Sequence, residues 1–545
     1  MCRTALFVLV VTASAAAAAT DARVACLSSG GDAAATCLSH VLLGGNPDPG
    51  PIGDAVRASC TEDVAFALGF YGVDDQALRL SDACADFAAA LRAIETPRNG
   101  AVPGTPEAAC ADTLADTLAR LRSETITLFG PHCFVREAKG RRCKHAARDR
   151  KAKALQARAR AQIVRKCGDR YAALGLPAAS DVVATSFDRT RHFAQLVYPP
   201  DDLGPTGDYG PYPVGVRTLD LVDPSRPSLD PAHPGGRPVT VELWYPSTSA
   251  AIAGVDRYVV NLFGIDIAKT PTYRDVARAA GPFPVVLFSH GNGGIRFQSL
   301  FLAGHLASHG YVVASPDHHG DTFLDLALGI VDPIASSAVN RPLDMQFVLD
   351  QLLARNASAG DFLAGAIDPA RVGMSGHSFG GYTTFALAGT GTIAGRTFAD
   401  PRMRSFLALA PATSVFPDAF FPTVTAPILT VGGTLDVTTP FATEQKRAFD
   451  LLPSGASIVG LAEITGAGHY SFSDICEVPR NLVALIGGFD EACTPAHLPW
   501  HDAHRIVDYL ALNFFDATLG GDRAARARLV PKRLSKLDDL DYEAK

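Results

Sequence analysis

The sequence predicts an α/β protein with a mostly parallel sheet covered by helices, preceded by a small disulfide-rich α-helical domain. Three observations predict it. From residue 239 onward, short buried strands alternate with helical segments, the pattern of parallel strands covered on both faces. One of these strands, Arg371-Val372-Gly373-Met374-Ser375, runs into Gly376-His377-Ser378-Phe379-Gly380-Gly381 and then into a helix-compatible run from Tyr382 to Ala388. Between residues 21 and 175 the chain is different: eight cysteines, many alanines, and helical periods at Asp63 to Tyr71 and Thr113 to Arg122, separated by Pro and Gly.

The chain has 545 residues, 47% of them hydrophobic, and a formal net charge of −7. That is long enough for two or more domains, and the charge balance does not point to nucleic acid as the main partner. At the amino end, Arg3, the apolar run Ala5 to Val11 and the small residues Ala17-Ala18-Ala19 have the order of a secretory signal peptide. The run is too short for a membrane span, which needs about 18 or more apolar residues. The expected destination is the periplasm or the outside of the cell.

Cysteine use agrees with export. Losing the first twenty residues removes Cys2 and leaves an even set: Cys26, Cys37, Cys60, Cys84, Cys110, Cys133, Cys143, Cys167, Cys476 and Cys493. An even set in an exported chain reads as disulfides, and no spacing resembles a C-x-x-C zinc or redox pair. Cys476 is expected to pair with Cys493; connectivity among the first eight is open.

The expected division is a signal peptide at 1–20, a Cys-rich helical domain at 21–175, a linker and lead-in segment at 176–237, a catalytic domain at 238–520 and a charged, frayed tail at 521–545. Arg136 to Lys166 is strongly basic. Such a run offers peripheral contact with an anionic surface, although charge runs are more often solvated helix faces. Strands are expected at Val239 to Pro246, Phe283 to Phe288, Tyr311 to Pro316, Phe406 to Ala410, Pro427 to Val431 and Ile458 to Ile464. The segment Ser247 to Gly281 is expected to pack at the sheet edge or over the site.

A serine hydroxyl is a poor nucleophile at neutral pH, so it needs an adjacent base, and the base needs a partner that fixes its tautomer. Ser378, Asp436 and His469 each follow a predicted strand, which would gather all three at one sheet edge. Asp418 and Asp450 compete with Asp436; His377, His290, His501 and His504 compete with His469. Acyl transfer also needs N–H donors for the developing oxyanion. Phe379, directly after Ser378, supplies one. Asn292, in Ser289-His290-Gly291-Asn292-Gly293-Gly294, is the choice for the second, with Gly291 and Gly293 as rivals. Asp317-His318-His319-Gly320-Asp321 suggests a metal, but no further ligands with suitable spacing appear. No cofactor and no metal are expected.

Phe288-Ser289-His290-Gly291-Asn292-Gly293, Leu306-Ala307-Ser308-His309-Gly310-Tyr311-Val312-Val313 and Gly376 to Gly381 together resemble the platelet-activating-factor acetylhydrolase and dienelactone-hydrolase-like branch of the α/β-hydrolases. The resemblance covers Val239 to Phe515. It implies the α/β-hydrolase fold and a secreted-type serine esterase with Ser378 as nucleophile, His469 as base and Asn292 and Phe379 as oxyanion donors. The acetylhydrolases take their acid just after the strand that follows the nucleophile helix, where this chain has Ala410-Pro411-Ala412. The acid is then Asp436, as in most α/β-hydrolases. In this, and in Ile367-Asp368-Pro369-Ala370-Arg371-Val372, the chain is also similar to bacterial cutinases, which likewise carry a late disulfide comparable to Cys476 with Cys493. Short-acyl esters or phospholipid-like lipids are the first substrate expectation and polyesters the second. A catalytically inactive binding or surface module is the competing reading, and the complete Ser, Asp, His set argues against it.

Overall fold

The computed structural model describes residues 22–42 except 24 and 39, 50–95 except 69 and 71, 103–130, 145–198, 203, 207–262 except 232, 265–478 and 491–545. The signal-peptide residues, Cys133 and Cys143 lie outside them. Two compact units are present, residues 1–202 with 494–502, and residues 203–493 with 503–545.

The first unit is helical. Its long helices are Val73–Glu95, Pro106–Phe129, His145–Cys167 and Ala179–Val197. Cys26 pairs with Cys60, Cys37 with Cys84 and Cys110 with Cys167. Leu114, Leu118 and Leu121 recur at helical spacing and pack on Leu155, Ala159, Ile163 and Phe187. The described part of the basic run is thus a helix whose apolar stripe faces inward. The lead-in segment is more ordered than its Pro and Gly content predicts. Val182, Val183, Phe187 and Phe193 make 179–197 an amphipathic helix belonging to this unit.

The second unit is built on one large sheet. Its strands are β1 (Val214–Asp223), β2 (Arg237–Pro246), β5 (Thr272–Arg274), β6 (Phe283–Ser289), β7 (Val312–Pro316), β8 (Ile367–His377), β9 (Met403–Leu409), β10 (Ile428–Gly433), β11 (Val459–Ile464) and β12 (Leu540–Ala544). A separate hairpin joins β3 (Val259–Leu262) to β4 (Ile265–Lys269). The strand order is β12-β11-β10-β9-β8-β6-β7-β2-β1-β5. From β7 through β6, β8, β9 and β10 to β11 the neighbours are parallel, while β2 is antiparallel to β7 and to β1. This is the α/β-hydrolase fold. The segment 247–281 does pack at the edge, where β5 joins β1.

The tail is not frayed. Leu540 and Tyr542 are buried, and β12 pairs antiparallel with β11, Ala462 opposite Tyr542. Alternation over five residues among charges was too short a signal to mark a strand, which exists because β11 offers it an edge.

Alternation along β8 explains the layers. Val372 and Met374 join a core with Met345, Leu349 and Phe385, from the helices Ile334–Ala357 and Phe379–Ala388. Gly373 faces Phe515 on the helix Trp500–Thr518; a Cβ there would stand 2.8 Å from its ring. Burying each large apolar side chain contributes roughly 1.5–3 kcal/mol.

Below the carboxyl end of β6 lies a buried ionic cluster. Arg237 meets Asp344 through two bonds of 2.8 and 2.9 Å, and Asp344 also accepts from His318 Nδ1 at 2.9 Å. Arg341 pairs with Asp321 at 2.6 Å and donates to the His290 and Gly291 carbonyls at 2.6 and 2.8 Å. Removing one partner of such a pair strands the other charge in the interior, at a cost of roughly 3–5 kcal/mol. Arg237→Met is therefore expected to lower stability to chemical denaturation by that amount. A loss below about 1 kcal/mol would contradict the role given to the cluster.

Candidate active site

The turn after β8 is dictated by sterics. Ser378 has φ 57° and ψ −113°, a region L residues rarely occupy. Its N–H donates to Leu409 O at 2.9 Å, and its carbonyl accepts from Tyr382 and Ala412 at 3.0 and 3.1 Å, which holds the strain. A Cβ at Gly380 would lie 1.8 Å from Ser289 O, so only glycine lets the helix start pass beneath the end of β6.

This turn brings the three sequence candidates together. Ser378 Oγ lies 2.9 Å from His469 Nε2, and His469 Nδ1 lies 2.9 Å from Asp436 Oδ2. His469 and Asp436 are buried. Thr439 completes the carboxylate's shell: its N–H donates to Oδ1 at 2.7 Å and its hydroxyl lies 2.8 Å from Oδ2. The Asp436 and His469 loops approach closely because a Cβ at Gly433 would meet Ala467 O at 2.2 Å, and Leu435 N–H donates to that same oxygen.

The rivals are engaged elsewhere. Asp418 pairs with Arg447 and Asp450 with Lys446. His290 Nδ1 is 2.7 Å from Gly291 O while its Nε2 accepts from His318 N–H. His504 Nε2 is 3.1 Å from Ser473 O, and His501 Nε2 is 3.3 Å from Leu196 O.

In the loop after β6, the N–H groups of Gly291, Gly293 and Gly294 are spent on Gln298 Oε1, Asp321 Oδ1 and Gly291 O. Asn292 is exposed, and neither its N–H nor that of Phe379 has an acceptor among the described residues. The metal-like motif is divided among other partners: Asp317 with Arg296, His318 with Asp344 and Ser289, His319 with Leu229 N–H, and Asp321 with Arg341. Among the described residues no three His, Cys, Asp or Glu side chains converge as metal ligands.

Gln298 escaped the sequence reading, and His377, there a rival of His469, has a different place. Gln298 Nε2 lies 2.9 Å from His377 Nδ1, and His377 Nε2 lies 2.9 Å from His469 O. With Gly291 N–H on Gln298 Oε1 at 2.7 Å, a continuous chain ties the loop carrying Asn292 to the backbone of His469. The signal for Gln298 was weak, since one glutamine before a helix has no special spacing.

The described residues 237–324 match the family model "Platelet-activating factor acetylhydrolase, isoform II". That match includes the Asn292 loop and ends before Ser378. The chain is 28% identical over 194 residues to Cutinase 1 of Thermobifida cellulosilytica, covering 36% of this chain and 63% of the relative. It is 28% identical to the cutinase of Thermobifida fusca, with 36% and 55% covered. It is 27% identical over 223 residues to bis(hydroxyethyl) terephthalate hydrolase of Streptomyces coelicolor, with 41% and 61% covered. The chain thus spans 55–63% of the length of the curated relatives it matches. A solved ferulic acid esterase from Streptomyces cinnamoneus aligns with a TM-score of 0.45 and 24% identity, covering 61% of this chain and 96% of its own. The sequence matches fit the α/β-hydrolase superfamily, whose fold this chain has. The described Cys476–Cys493 disulfide is also present.

Burial lowers the proton affinity of His290, His318 and His377. Desolvation, then the Arg341 charge, pushes His318 down to about 4 from an ordinary 6.5; His290 and His377 are also lowered, chiefly by burial. An unfolded His318 takes its proton near pH 6.5 and the folded one only near 4. The stability it contributes is complete above 6.5 and is lost as pH falls toward 4, by roughly 3 kcal/mol for this one group. Thermal unfolding from pH 7.5 to 4.5 should show a falling Tm; a flat profile across that window contradicts neutral buried histidines.

Proposed function

We propose that the protein is an exported serine hydrolase of carboxylic esters acting through an acyl-enzyme intermediate. The observation that carries this reading is the continuous Ser378, His469, Asp436 hydrogen-bond line, each step 2.9 Å. Ser378 Oγ attacks the ester carbonyl carbon as His469 Nε2 takes its proton. Asp436 keeps Nδ1 protonated and stabilises the imidazolium. The oxyanion is met by the Asn292 and Phe379 N–H groups, which have no other acceptor among the described residues. When the tetrahedral intermediate collapses, the C–O bond to the alcohol breaks and the alkoxide leaves with the proton from His469. Water then repeats the sequence on the acyl-enzyme, releasing the acid and restoring Ser378.

Short-acyl esters or phospholipid-like lipids are the first substrate class, supported by the family-model match over 237–324. A polyester-hydrolase reading stands beside it, favoured by the similarity to two cutinases and a terephthalate-ester hydrolase. Disulfides in both units and the amino-terminal sequence pattern support export. No described helix is long and apolar enough to cross a membrane.

Hydrolysis of a short-chain p-nitrophenyl ester tests the assignment. Ser378→Ala and Asp436→Asn should each lose at least about a thousandfold in kcat, while Asp418→Asn stays near wild type. Equal turnover by wild type and Ser378→Ala would overturn the reading. Gln298→Ala tests the bridge: kcat should fall on the order of ten- to a hundredfold with KM nearly unchanged. Wild-type kcat in that variant would reduce the Gln298 chain to a structural detail.

A further inference from the structure

Exposed apolar side chains are concentrated in one place. Of the sixteen large ones exposed among the described residues, eight follow the carboxyl ends of β7, β9 and β10. The strand order sets β9 and β10 on one side of β8, and β6 and β7 on the other, so these loops flank Ser378. Leu435 and Val437 adjoin Asp436, and Val415 follows β9. The other five, Leu324, Leu326, Leu328, Val331 and Ile334, occupy one run after β7.

That run turns its charges inward. Asp325 accepts from Gly320 N–H at 2.8 Å and from the Thr322 hydroxyl at 2.7 Å; Asp332 accepts from Arg237 and Asn340 at 3.2 and 2.9 Å. Every exposed residue from 324 to 335 is Leu, Ala, Gly, Val, Pro or Ile. The run is also continuous with the site. Phe323 N–H donates to Gly294 O at 3.3 Å, and a Cβ at Gly293 would stand 2.9 Å from Leu326 Cδ1. Arg237 and Arg341, the cations beneath it, are buried and paired with carboxylates, and no exposed residue from 324 to 335 carries a charge.

We propose that this apolar rim docks the protein on a neutral, water-insoluble ester phase, the surface of an acylglycerol droplet, beside which Ser378 receives its substrate. An uncharged apolar surface that opens onto the mouth of a site complements an uncharged apolar phase. The inference rests on the esterase reading above, since the rim is meaningful through the site it surrounds.

Flotation of the Ser378→Ala protein with a sonicated triolein emulsion tests docking without turnover. The parent should float with the droplets, and adding Leu328→Asp with Ile334→Asp should weaken the apparent affinity at least tenfold. Val255→Asp with Val530→Asp, two exposed valines that belong to none of these loops, should leave it unchanged. In the Ser378-containing protein the rim pair should hydrolyse dissolved p-nitrophenyl acetate within twofold of wild type. The proposal is overturned if the rim pair floats like the parent, if the control pair loses as much, or if the parent does not float. It is equally overturned if the parent floats only with anionic phospholipid vesicles, or if sedimentation shows that the rim pair undoes a dimer of the chain. A failure of the esterase reading appears separately, as no hydrolysis of the dissolved ester by wild type whatever the flotation result.

Discussion

The approach of Gly380 to the end of β6 is the constraint on which the site depends. With a Cβ position 1.8 Å from Ser289 O, this is backbone against backbone, and no rotamer change could relieve a larger residue. The contact fixes the start of the helix Phe379–Ala388 beneath the Ser289 to Gly294 loop. It therefore sets the Phe379 N–H, the Asn292 N–H and the Ser378 hydroxyl in one small region, before His469 and Asp436 are considered. The positive φ of Ser378 is the strain this arrangement requires, and its N–H bond to the Leu409 carbonyl, with the bonds its own carbonyl accepts from Tyr382 and Ala412, keeps it in place.

Around that contact, polar groups are arranged so that the loops cannot drift independently. Arg341 holds the His290 and Gly291 carbonyls from below, while Gln298 takes the Gly291 N–H and reaches His377. His377 in turn holds the carbonyl of His469. The Arg341, Gln298 and His377 side chains thus each have hydrogen-bond partners, which is the condition under which burial rigidifies a site. The neutral state of His318, His290 and His377 follows from the same burial, because charging any of them would place an extra cation near Arg341 or His469.

Much of this was legible in the sequence because it is governed by local sterics and periodicity. Gly376-His377-Ser378-Phe379-Gly380 announces a strand, a tight turn and a helix, and the alternation of short apolar strands with helices announces a parallel sheet. Asp436 and His469 were legible through their position after strand ends. What was hidden depended on partners far away in sequence. Gln298 matters because Gly291 and His377 meet it, and β12 is a strand because β11 has an open edge. The helix 179–197 was obscured by the Pro and Gly that follow it. Its own stripe, from Val182 to Phe193, needed the other helices to show which face was buried.

The central claim is that Ser378 is a nucleophile activated by His469, and active-site labelling tests it most directly. A fluorophosphonate probe applied to the folded protein, followed by peptide mass spectrometry, should give a single adduct on Ser378, absent in His469→Ala. Modification of a different serine, or no modification of the native protein at all, would contradict the account.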